Sequence, residues 1–176
     1  NIRRYKRYSK YIMDKIQNEK KETRILFVCL GNICRSPAAE EILRVKAHEL
    51  QLQRTVEIDS AGIGAWHIGE LPDKRMRTHA ARRGYTLSSR ARQFSHEDFA
   101  RFDYIVVMDE SNYKDITNQA TSEDEVSKVK RMSEFFIRFK GRDYVPDPYY
   151  GTDGTFETAI DMIEDGCDGI INNLLK

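Results

Sequence analysis

A chain of 176 residues, 40% hydrophobic and 32% charged, is long enough for one well-buried core and short for two. The net charge of +1 is unevenly spread: Arg3, Arg4, Lys6, Arg7 and Lys10 crowd the start without an acid, the rest is mildly acidic, and nucleic-acid binding by the main domain is not expected. No apolar run approaches the roughly 20 residues of a membrane span, no signal-type apolar stretch follows the basic start, and three unevenly spaced cysteines suggest neither a disulfide framework nor zinc, so a reducing cytoplasm is expected.

Residues 1–22 read as a basic amphipathic helix, with Ile2, Tyr5, Tyr8, Ile12 and Ile16 at helical spacing. This N-terminal extension is expected to dock on the domain or remain partly ordered; contact with a membrane surface is the lesser alternative. Another alternative takes Met13 as the natural start. The domain proper, 23–176, opens with a nearly continuous apolar strand over Arg24–Leu30, the kind buried on both faces of a parallel sheet. Ser36 can cap the next helix and Pro37 suits its first position, with Ala39, Ile42, Leu43, Ala47 and Leu50 as its apolar stripe.

A second strand is expected over Thr55–Ser60, a glycine-rich loop over 61–72, and a helix over Asp73–Arg83 stopped by Gly84. Ser95 is the expected cap of a short helix at His96–Phe99. Asp103–Met108 is the third strand and Ser111–Ala120 the next helix; Thr121–Ser127 reads as loop and Val126–Met132 as a fourth strand. Two prolines and a glycine make Tyr144–Gly151 a loop. The last helix is expected over Thr155–Leu175, locally weakened by Gly166 and Gly169. Alternating strands and helices indicate an α/β fold: a three-layer doubly wound sheet of about four parallel strands, flavodoxin-like, with its binding crevice beyond the carboxyl ends of the strands.

Val28-Cys29-Leu30-Gly31-Asn32-Ile33-Cys34-Arg35-Ser36-Pro37 is a strand, a tight loop and a helix start, an arrangement whose unpaired N–H groups suit an anion. Cys29 is placed as a nucleophile that ionises readily beside those amides, and Arg35 as a bidentate clamp on phosphate oxygens. Gly31 permits a left-handed turn, for which Asn32 is the next best residue, and Ser36 can donate to the thiolate. Asp147, between Pro146 and Pro148, is the candidate general acid and later base. With amides and Arg35 supplying the positive field, no cofactor and no metal are expected. The Cys-x5-Arg spacing alone is a weak signal; its setting strengthens it.

The whole decapeptide at 28–37 closely resembles the low-molecular-weight protein tyrosine phosphatases, as do Trp66-His67-Ile68-Gly69, Ala91-Arg92-Gln93, Phe102-Asp103-Tyr104, Met108-Asp109-Glu110 and Asp147-Pro148-Tyr149-Tyr150-Gly151. The resemblance implies phosphotyrosine hydrolysis through a cysteinyl-phosphate, with Cys29, Arg35, Asp147 and Ser36 as catalytic residues. It implies that Leu30, Gly31, Asn32, Ile33 and Cys34 form the phosphate loop and that Trp66, Tyr149 and Tyr150 flank the phenyl ring. Asp109 would support the site, or else only cap a helix. Cys34 would trap Cys29 as a disulfide under oxidation, or else only pack, and Cys167 reads as core. Ile33 stands where arginine-phosphatase relatives tend to carry threonine, and Ser89 where many relatives hold a histidine against the loop serine. Phosphotyrosine-containing proteins are the implied partners, with inorganic phosphate as product or inhibitor. The rivals are an arsenate reductase, for which residues 35–166 lack the relay cysteines, and a catalytically dead phosphotyrosine-binding module.

Overall fold

Four runs pair in parallel into one sheet: β1 (Thr23–Cys29), β2 (Val56–Gly62), β3 (Tyr104–Val107) and β4 (Val129–Arg131), in the spatial order β2-β1-β3-β4. This computed structural model describes residues 5, 6, 8, 9 and 22–176. The extension expected over 1–22 lies outside the described residues, except for Tyr5, Lys6, Tyr8 and Ser9, which are helical and exposed, and Glu22, which is exposed and precedes β1.

β1 explains its own composition. Ile25, Phe27 and Cys29 enter one core cluster while Leu26 and Val28 enter the other, so both faces are covered and no polar alternation survives. Helices α1 (Arg35–Glu49), α2 (Lys74–Ala81) and α6 (Asp153–Ile170) cover the first face, through Ile42, Met76 and Ile160 among others. Helices α3 (Asp98–Arg101) and α4 (Glu110–Thr117) cover the second with Phe99 and Ile116. The fold is thus the expected α/β doubly wound one. From β1 the chain steps to β2 on one side and later to β3 on the other, which opens a crevice at the carboxyl end of β1.

Several boundaries differ from expectation. Thr121–Ser127, expected as loop, contains the start of helix α5 (Glu123–Lys128), and β4 is correspondingly shorter than the strand expected over 126–132. Ser122 caps α5, and three acidic residues in its first turn complement the helix dipole. β2 runs on to Gly62, α4 begins under an Asp109 cap, and Ser95 makes no side-chain cap for α3. α1 begins at Arg35 without a side-chain cap, so Ser36 sits inside the first turn with its hydroxyl free for another partner. The last helix gives way to a π-helical turn over Ile171–Leu175. Gly166 and Gly169 have a packing reason: a Cβ there would lie 2.4 Å from Met132 Sδ and 1.8 Å from Phe135 O. They let α6 lie against the 3₁₀ turn Met132–Phe135.

Candidate active site

The loop leaving β1 is fixed by its carbonyls. Cys29 O accepts from Ile63 N–H at 3.0 Å, Leu30 O from Gly64 N–H at 2.9 Å, and Ile33 O from Asp73 N–H at 2.7 Å. The left-handed residue of this loop is Asn32, with φ 55°, and Gly31 does not share that conformation. A Cβ at Gly31 would come within 3.2 Å of the His67 ring, a tight contact that the ring would have to yield to. Asn32 holds its turn with its own side chain, accepting from Arg92 N–H at 2.9 Å and donating to Ser36 Oγ at 2.8 Å and Ser60 Oγ at 2.9 Å.

Cys29 closes β1 almost fully buried. Ser36 meets its Sγ twice, through Oγ at 3.0 Å and N–H at 3.5 Å. The hydroxyl that was expected to cap α1 therefore faces the sulfur, and it also reaches Ala61 O at 3.3 Å. Its oxygen accepts from Asn32 Nδ2 at 2.8 Å.

Arg35 is 2% exposed. Its Nη1 donates to Asp109 Oδ2 at 2.6 Å and to Val145 O at 3.0 Å, while Nη2 reaches Asp147 Oδ2 at 3.3 Å. Burial opposes its charge, but Cys29, Asp109 and Asp147 outweigh burial and raise the guanidinium above its ordinary range. Asp147 is half-exposed and accepts from Tyr149 N–H at 3.1 Å through its other oxygen. Burial, with Cys29, Asp73 and Asp147 nearby, pushes the Cys34 thiol up.

These groups meet around one cavity of about 370 Å³, lined by Cys29, Leu30, Gly31, Ile33, Cys34, Arg35, Trp66, His67, Asp147, Tyr149 and Tyr150. Asn32 and Ser36 stand behind this wall. Trp66 projects from the β2 exit, 69% exposed, and folds over Gly64, where any Cβ would collide with its ring. Tyr149 and Tyr150 meet edge-on at 4.8 Å, and the Arg75 guanidinium lies 5.4 Å from the Tyr149 ring. A buried cation and a thiol at the floor, a carboxylate at the side and aromatic rings at the mouth suit an aryl group bearing a compact anion. Among the described residues, no group of three or more His, Cys, Asp or Glu is placed to hold a metal ion.

Sequence reasoning missed Ser60, Glu40, His67 and the Val145 carbonyl. Ser60 shares a strand face with Val56 and Ile58, and Glu40 falls at helical spacing between Ser36 and Leu43, so each is a polar residue in an inward position. That signal was available. The Val145 carbonyl leaves no trace in residue type.

The family described as low molecular weight phosphotyrosine protein phosphatase matches residues 24–176. The low molecular weight protein-tyrosine-phosphatase YfkJ of Bacillus subtilis is 40% identical over 153 residues, covering 86% of this chain and 96% of its own. A protein tyrosine phosphatase from Entamoeba histolytica, crystallised with Hepes in its active site, superposes with TM-score 0.83 at 40% identity, covering 87% of this chain and 97% of its own. A Drosophila arginine phosphatase superposes with TM-score 0.78 at 30% identity, covering 86% and 98%.

Proposed function

The chain belongs to the low molecular weight phosphotyrosine protein phosphatase family, and from that premise we propose that it hydrolyses phosphotyrosine in proteins through a cysteinyl-phosphate formed on Cys29. The convergence of Cys29, Arg35 and Asp147 on one cavity carries the reading. In the first step the Cys29 thiolate attacks phosphorus, the S–P bond forms, the aryl P–O bond breaks, and the Asp147 carboxyl gives its proton to the leaving phenolate. In the second step Asp147 takes a proton from water, the water oxygen attacks phosphorus, and sulfur leaves as thiolate with a hydrogen bond from Ser36. Arg35, anchored on one side by Asp109 and Val145 O, turns Nη2 to the phosphoryl oxygens. Trp66, Tyr149, Tyr150, Leu30 and Ile33 enclose the phenyl ring.

Cys29→Ser is expected to abolish turnover of p-nitrophenyl phosphate and phosphotyrosine peptides while phosphate still binds. Asp147→Asn is expected to slow aryl phosphates with poor leaving groups most; equal losses across leaving groups would remove Asp147 from the acid's role. Faster turnover of phosphoarginine peptides than of phosphotyrosine peptides would overturn the substrate assignment.

A further inference from the structure

Glu40 does not line the cavity, yet it belongs to a hydrogen-bond chain that reaches Cys29, and the links from the Arg92 amide through Asn32 to the two serines have a forced direction. The Arg92 amide can only donate, so the Asn32 atom facing it at 2.9 Å is Oδ1, and the amide nitrogen faces the two serines. Nδ2 donates to Ser36 Oγ at 2.8 Å and to Ser60 Oγ at 2.9 Å. Both hydroxyl oxygens are therefore acceptors toward Asn32, and the single hydrogen of each serine must go elsewhere. That of Ser60 goes to Glu40 Oε2, 2.5 Å away. That of Ser36 is left for Cys29 Sγ at 3.0 Å, with Ala61 O at 3.3 Å as the competing acceptor. Arg44 Nη2 holds the other Glu40 oxygen at 2.7 Å, so the carboxylate accepts at both ends.

We propose that Glu40 is a positioning residue for the Cys29 chemistry: by taking the Ser60 hydrogen it holds Ser60 Oγ as an acceptor for the Asn32 amide, whose other hydrogen leaves the Ser36 hydroxyl to donate to sulfur. The proposal rests on the reading of Cys29 as nucleophile. A carboxylate is required here because it has no hydrogen to offer. A glutamine could donate to Ser60 Oγ, displace the Asn32 donor and release one of the three side-chain bonds that hold the left-handed Asn32 turn. The effect would reach the sulfur while the phosphate contacts of Arg35 and the loop stay in place.

The test is alkylation of Cys29 by iodoacetate in the full chain, followed by mass spectrometry, alongside kcat for p-nitrophenyl phosphate and inhibition by inorganic phosphate. Glu40→Gln is expected to slow alkylation and kcat about tenfold, with the phosphate inhibition constant within about twofold of the parent. Glu40→Asp should recover part of both rates. Ser60→Ala should match Glu40→Gln, and the double variant should be no slower than Ser60→Ala alone, because both changes break one chain. Ser60→Ala also carries the test should Glu40→Gln fail to fold in a thermal melt. Parent-like alkylation and kcat in Glu40→Gln, multiplied losses in the double variant, or phosphate affinity falling in step with alkylation would each overturn the proposal. Retained turnover in Cys29→Ser would instead show that the nucleophile is misassigned.

Discussion

Asp109 was open between two roles, helix cap and site support, and its two oxygens take one each. Oδ1 accepts from Asn112 N–H at 2.8 Å, starting α4, and Oδ2 accepts from Arg35 at 2.6 Å. The two roles can be separated by substitution. Asp109→Asn keeps an acceptor for the cap but sets an amide donor against the Arg35 donor, so kcat should fall about tenfold with little change in the urea midpoint. Asp109→Ala should lose the same activity and in addition about 1 kcal/mol of stability with the cap. Full activity in Asp109→Asn would show that Arg35 needs no carboxylate anchor. At this scale, residue type made Cys29, Arg35 and Asp147 legible as chemistry. It left Ser36 with two readings, helix cap and donor to sulfur, and could not choose between them, because the choice depends on α1 starting two residues earlier than Pro37 suggests.

Elements were legible where their apolar period was strong, as in β1, β3 and α6. α5 was missed because it buries no residue at all, and only its Ser122 cap and acidic first turn announce it. The glycines of α6 were visible but their purpose was not. In an open helix Gly→Ala gains about 1 kcal/mol. At Gly169 the added Cβ would sit 1.8 Å from the Phe135 carbonyl, a contact that forces backbone apart. Gly169→Ala should therefore destabilise by about 1–3 kcal/mol, read as a lower urea midpoint, and a raised midpoint would show that α6 can slide away from the turn at Met132–Phe135.

Across the whole molecule, α6 is fastened by carboxylates. Glu157 bonds Arg83 and His79, which lie at and just beyond α2, and these contacts hold it below its ordinary range. Asp165 is opposed by burial, but the amides of Arg138, Phe139 and Ile137 outweigh that and hold it low as well. A carboxyl depressed in the folded state binds its proton earlier in the unfolded chain. Its stabilisation is thus complete above the ordinary carboxyl value, about pH 4, and is lost as pH falls below it. The urea midpoint should drop on acidification through that range, and Asp165→Asn should lower the neutral midpoint while flattening the drop; an unchanged slope would remove Asp165 from the acid sensitivity. The sequence by itself determined the layered fold and brought a thiol, an arginine and a hydroxyl into one loop, since hydrophobic period and side-chain type are local properties of the chain. Only the tertiary structure decided what surrounds Ser36 and Asn32 beside Cys29, what anchors Arg35 and why α6 carries glycines. Those outcomes depend on atoms from Glu40, Ser60, Asp109 and Phe135, which become neighbours only once the sheet and its helices have packed.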